Sequence, residues 1–202
     1  MRRHALLLTT ASLLAMVTVA GSLLFFGMKG IGTRPLQEDE KTLLISIDDL
    51  AAYFDPIPGD RRLCERSVAK RNMDGCLELE YSYDTDRDPG AEHFLYLSSE
   101  AELWKSEAAA AESCRERIAA YKTGIKIRSG RTFRETPELF SLGEGSWVAM
   151  VFQGDRPVGN IVVTRQSGTV HSLIVYGLVF DERDLLEALF QPLVRAGAAP
   201  RS

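Results

Sequence analysis

Soft ligands are scarce in this chain of 202 residues, which holds three cysteines and three histidines. Cys64, Cys76 and Cys114 make no close Cys–Cys or Cys–His pair of the kind that zinc sites are built from, so no metal centre is expected from them. The signatures of common chemistries are also missing. There is no G-x-S-x-G nucleophile turn, no H-E-x-x-H helix and no phosphate loop. Gly143-Glu144-Gly145 precedes a strand pattern, with no helix behind it, and so is not a dinucleotide fingerprint. His4 belongs to an N-terminal stub, and His93 and His171 fall on strand patterns without a second ligand nearby. Ser172 adjoins His171, and neighbours on a strand point to opposite faces, which argues against a Ser–His pair. These absences read as a protein that is not an enzyme and needs no cofactor.

Positive charge is in short supply too. Three of the 24 basic residues and none of the 28 acidic ones lie in residues 1–30, so the remainder carries 21 against 28, a net of −7. Such a domain repels polyphosphate, which excludes nucleic acid as the expected partner. Charge is missing altogether from Ala5 to Gly27. As a helix, that run spans about 35 Å, enough to cross a bilayer core of about 30 Å. Arg2 and Arg3 ahead of it favour a cytoplasmic N-terminus and send the rest of the chain outward. The expectation is a single-pass transmembrane signal-anchor over 1–28, a linker over 29–42, an extracytoplasmic (periplasmic) domain over 43–196 and a disordered tail over 197–202. The alternative is a signal peptide cleaved after Ala20, which yields a secreted protein. The apolar run continues past that point through Leu23, Leu24, Phe25 and Phe26, which favours the anchor.

What is present is ordinary globular composition, 45% hydrophobic and 26% charged, without internal repeats or low-complexity tracts. A short helix capped by Ser46 is expected over 47–54, and residues 59–75 read as irregular. Leu77, Leu79, Tyr81 and Tyr83 alternate with polar residues as a half-buried strand, and 93–97 reads as its hairpin partner. Residues 99–122 give a helix pattern with Trp104, Ala108, Ala111, Cys114, Ile118 and Tyr121 on one side and Gly124 as its stop. A weak strand over 125–134 comes next, then clearer ones over 147–152, 158–164 and 169–176, the last three joined by short links that impose antiparallel pairing. Asp181 opens a final amphipathic helix, with Pro192 expected to kink or shorten it. The fold class is α+β: an antiparallel sheet of about six strands covered by helices, in the order α-β-β-α-β-β-β-β-α.

The stretch Gly159–Tyr176 (GNIVVTRQSGTVHSLIVY), with Phe180-Asp181 and the helix through Arg195, resembles the end of Mog1/PsbP-like extracytoplasmic domains. The resemblance covers residues 45–196 in element order and only the last forty or so in texture. It implies an antiparallel sheet closed by a final helix, and an accessory role of mostly unknown function.

Several groups remain as candidate sites. Asp84, Asp86 and Asp88 stand alternately on a turn, an arrangement that can offer oxygen ligands to calcium. Pro89 occupies the position where an EF-hand needs glycine, and the plain reading is a solvated hairpin turn. In an oxidising compartment Cys64 and Cys76 can staple the 59–75 loop, leaving Cys114 as a buried thiol; pairings with Cys114 stay open. Lys122, Lys126, Arg128, Arg131 and Arg134 form the main basic concentration, the last four a candidate surface for an anionic lipid or wall polymer, or simply a solvated strand edge. Taken together, these features lead to the expectation of a non-enzymatic, membrane-tethered accessory module that binds an envelope protein partner. The alternative is a carrier or sensor with a small-ligand pocket between sheet and helices.

Overall fold

The computed structural model describes residues 32–51, 61–72, 74–85, 94–128 and 131–197. The strands are β1 (Thr33–Arg34), β2 (Glu65–Arg71), β3 (Leu77–Asp84), β4 (Tyr96–Leu103), β5 (Thr132–Glu135), β6 (Glu144–Gln153), β7 (Arg156–Gln166) and β8 (Thr169–Tyr176). The helices are α1 (Glu38–Lys41), α2 (Arg61–Cys64), α3 (Glu107–Arg128) and α4 (Arg183–Gly197), with a 3-10 turn at Pro137–Leu139.

All eight strands join one antiparallel sheet in the order β1-β2-β3-β4-β8-β7-β6-β5. Two meanders, β1–β4 and β5–β8, meet at the central β4–β8 pair. Helix α3 carries the chain from the centre to the far edge. Its 22 residues cover roughly 33 Å at 1.5 Å per residue.

Alternation along the strands sorts side chains between two cores. On one face Leu79, Tyr81, Tyr83, Leu97, Leu173 and Val175 pack under the 43–50 segment and under Leu186, Phe190 and Leu193 of α4. Burying each of these aliphatic and aromatic side chains contributes about 1.5–3 kcal/mol. On the other face Trp147, Ala149, Val151, Ile161, Val163 and Val170 pack under Ala110 and Cys114 of α3. Strand β7 is covered on both sides, which is why Gly159–Thr164 is buried without a break.

The expected architecture needs correction in several places. The sheet has eight strands, not about six. The 59–75 stretch, read as irregular, contains α2 and β2, because β2 alternates only weakly and its partners lie across a hairpin. Residues 33–41, read as linker, form β1 and α1. The helix expected over 47–54 is a turn through Ala51, and the Asp49 carboxylate accepts from both the N–H and the hydroxyl of Ser46. Ser99–Leu103 is strand rather than helix, because each residue pairs with β8. The apolar side of α3 is therefore set by Ala110 and Cys114, while Ala108 is exposed. Gly124 and Pro192 both lie inside helices that run on past them. The transmembrane helix of the expected fold falls on residues outside the described ones. Among the described residues no helix is long and apolar enough to cross a membrane.

Candidate functional site

Helix α3 packs against β6, β7 and β8. The half of that sheet face built by β2, β3 and β4 presents polar residues instead. Register sets Glu78 opposite Glu102, and Glu80 opposite Glu100. Like charges directly opposed on neighbouring strands destabilise a sheet, and here two cations offset them. Lys70 of β2 pairs with Glu80. Arg117, reaching down from α3, pairs with Glu100 and Glu102.

Glu102 is the most enclosed of these carboxylates, at 9% exposure. Besides Arg117 it accepts from the indole Nε1 of Trp104 at 2.9 Å and from the Ser113 hydroxyl. Arg117 also donates to Ser172 Oγ at 3.1 Å. The Tyr121 hydroxyl stands 3.4 Å from the same oxygen. This constellation clips α3 onto β4 and β8. A guanidinium stays protonated at any ordinary pH, so nothing in this set of contacts removes the proton from Ser172. The geometry holds a helix in place and does not activate a nucleophile.

Cys76 is buried on the same side of the sheet, one residue before β3. Burial, with the charges of Glu102, Asp74 and Glu78, pushes its thiol up to about 12. Burial also raises the Cys114 thiol, whose Sγ lies 3.7 Å from the Gly145 carbonyl. Neither thiol is poised for reaction, since the thiolate is the nucleophile.

All three cysteines are unbonded. The bridge expected between Cys64 and Cys76 does not form, and the hairpin register gives the reason. Cys64 precedes Glu65, which pairs with Tyr83, while Cys76 lies beyond the turn from Arg71, which pairs with Leu77. The two cysteines thus stand at opposite ends of a hairpin roughly 24 Å long at about 3.4 Å per residue. A disulfide needs Cα atoms within about 7 Å.

The other sequence candidates scatter. Asp84 ends β3, exposed, while Asp86 and Asp88 lie outside the described residues, as does His93. Among the described residues no cluster of three or more His, Cys, Asp or Glu is arranged to hold a metal. Lys126 and Arg128 fall at the C-terminal end of α3 rather than on a strand. Arg131 lies 4.3 Å from the centre of the Tyr176 ring, and Arg134 lies 5.1 Å from that of Phe152. The four basic residues therefore do not share one strand edge. His171 is buried at 1% exposure. It pairs with Thr164 and Ala101 in register, while its neighbour Ser172 bonds toward α3.

Two features are not evident from residue order. One is the Glu100–Glu102–Arg117 clip, hidden because the helix pattern over 99–122 absorbs the end of β4; the Glu78/Glu80 and Glu100/Glu102 alternation is the signal for it. The other is an open strand edge. Asn72 N–H donates to the Cys76 carbonyl. Antiparallel alternation then turns the backbone groups of Glu65 and Ser67 away from β3. Strand β1 pairs only with Ala69 and Lys70, so no described strand faces Glu65–Val68 on that side.

A cleft of about 410 Å³ opens between the 38–49 segment and α4. It lies beside the sheet–helix core rather than within it, where Tyr83, Leu173 and Phe190 are fully buried. No family model matches the chain, and no curated protein or solved structure is significantly similar to it.

Proposed function

We propose that this chain is a non-enzymatic binding module, held at a membrane by its uncharged N-terminal stretch, whose domain serves as an accessory to an envelope protein on the extracytoplasmic side. The observation that carries the reading is the uneven length of the sheet's edge. Among the described residues strand β1 covers two of the seven in β2 and leaves Glu65–Val68 able to pair with an extended segment of another protein. Strand addition of this kind supplies main-chain hydrogen bonds for affinity and alternate side chains for specificity. The charge pattern of residues 1–34 supports the placement, and the mutually satisfied charges under α3 support a structural, not catalytic, use of its polar residues.

The experiment is site-specific photocrosslinking from Ser67 in the full chain, in native membranes. A single protein adduct is expected, and Glu65→Pro, which removes a second outward N–H of the same edge and leaves the crosslinker in place, abolishes it. Failure to recover any reproducible adduct counts against the reading.

A further inference from the structure

Among the described residues lining the cleft between the 38–49 segment and α4, every hydrogen-bonding side chain except Lys41 is an acceptor or already spends its proton internally. The floor is aliphatic: Leu44, Ile45, Leu189 and Leu193. Glu38 and Asp49 stand on the rim. Glu38 is 89% exposed, and its pairing with Lys41 is an i,i+3 surface contact, worth little. Asp49 is fixed toward the mouth by two hydrogen bonds of 2.7 Å from Ser46. Thr42 spends its hydroxyl proton on the Asp39 carbonyl at 2.6 Å.

Pro192, also in the lining, is exposed and has no N–H, so it brings no donor to the cleft. Among the described residues Lys41 is the one cation in the lining, against two carboxylates.

Glu38, Lys41, Thr42, Asp49 and Pro192, half of the lining residues, are exposed, so the cleft opens widely to solvent. Small-molecule sites enclose most of their ligand's surface, which this one cannot do. A macromolecular partner brings its own cover. From the aliphatic floor, the acceptor-rich rim and the open side we infer that the cleft is a docking pocket for a protein segment presenting an aliphatic side chain next to a lysine or arginine. The aliphatic group fills the floor. The cation meets Asp49 and Glu38. This assignment rests on the reading of the chain as a binding module and adds a second contact to it, apart from the β2 edge.

The test uses the full chain in nanodiscs of zwitterionic lipid, with methyl NMR on leucine and isoleucine. The probes are the peptides Ac-Gly-Lys-Leu-Lys-Gly-NH2 and Ac-Gly-Glu-Leu-Glu-Gly-NH2. The basic peptide is expected to shift Leu44, Ile45, Leu189 and Leu193 saturably, and the acidic one to leave them unmoved. Asp49→Asn weakens binding about 1.5- to fivefold, the range for one exposed charge contact. Glu38→Gln, at the other rim carboxylate, weakens it by a similar factor. Equal response to both peptides, shifts scattered elsewhere, or indifference to both substitutions overturns the assignment. Peptide binding without any crosslinked partner at Ser67 keeps the pocket and removes the edge-docking reading. A Ser67 adduct with no peptide response keeps that reading and removes the pocket.

Discussion

Replacing Arg117 by methionine isolates the energetic role of the clip between α3 and the sheet. Methionine keeps most of the apolar stem and removes the guanidinium, which contacts Glu100, Glu102 and Ser172. The side chains of Arg117, Glu100 and Glu102 are 17%, 20% and 11% exposed. The stranded Glu102 keeps Trp104 and Ser113 as donors but loses its counter-charge. Removing one partner of a buried pair costs about 3–5 kcal/mol. The residual exposure places this one near the lower end, at about 3 kcal/mol. For a domain of this size that lowers the melting temperature by roughly 6–12 °C. Neutralising the stranded carboxylate with Glu102→Gln in the Arg117→Met background recovers part of the loss. The double-mutant cycle then reports a coupling of about 1.5–3 kcal/mol. Urea titration of the full chain in detergent, followed by near-ultraviolet circular dichroism, measures all four corners. A single-mutant loss below about 1 kcal/mol, or a coupling indistinguishable from zero, refutes the argument that this network fastens α3.

Local geometry gives two further expected outcomes. The Arg34 guanidinium holds the Glu40 carboxyl below the usual carboxylate range. A pKa lowered by folding contributes stability above the unfolded value near 4.3 and loses it as pH falls through the folded value. Glu40→Gln is therefore expected to cost about 1 kcal/mol at pH 7 and progressively less below pH 4, and a pH series of thermal melts in which the gap widens on acidification contradicts this. Two glycines should respond to alanine with opposite signs. At Gly177, φ is +87° and a Cβ would lie 1.9 Å from the Phe94 carbonyl oxygen, whereas at helical Gly124 nothing lies within 4 Å. Gly177→Ala should lose about 3 kcal/mol or more and Gly124→Ala should gain about 0.5–1 kcal/mol, and denaturant melts that fail to separate them reject the reasoning.

Period-two alternation in Leu77–Tyr83, and the nearly unbroken apolar runs of β6, β7 and β8, are legible as strands from residue order alone. These patterns reflect burial on one face or on both, and burial is encoded residue by residue. The amphipathic C-terminal helix is legible for the same reason, with Leu186, Phe190 and Leu193 reaching the core. Net charge and the uncharged N-terminal run are likewise properties of composition.

Tertiary contact decided the rest. Ser99–Leu103 shares a helix-like spacing with the residues of α3, yet hydrogen bonds to β8 make it strand. Strand β2 carries too few apolar residues to signal itself and exists because β3 templates it. The wide separation of Cys64 and Cys76 comes from that hairpin's register, which a twelve-residue spacing in sequence does not reveal. Arg117 finds Glu100 and Glu102 only after α3 folds back over the sheet. The cleft beside α4 needs the 38–49 segment and α4, some 140 residues apart, to be brought side by side. Local pattern fixes which surfaces must be buried; pairing across the sheet fixes what they are buried against.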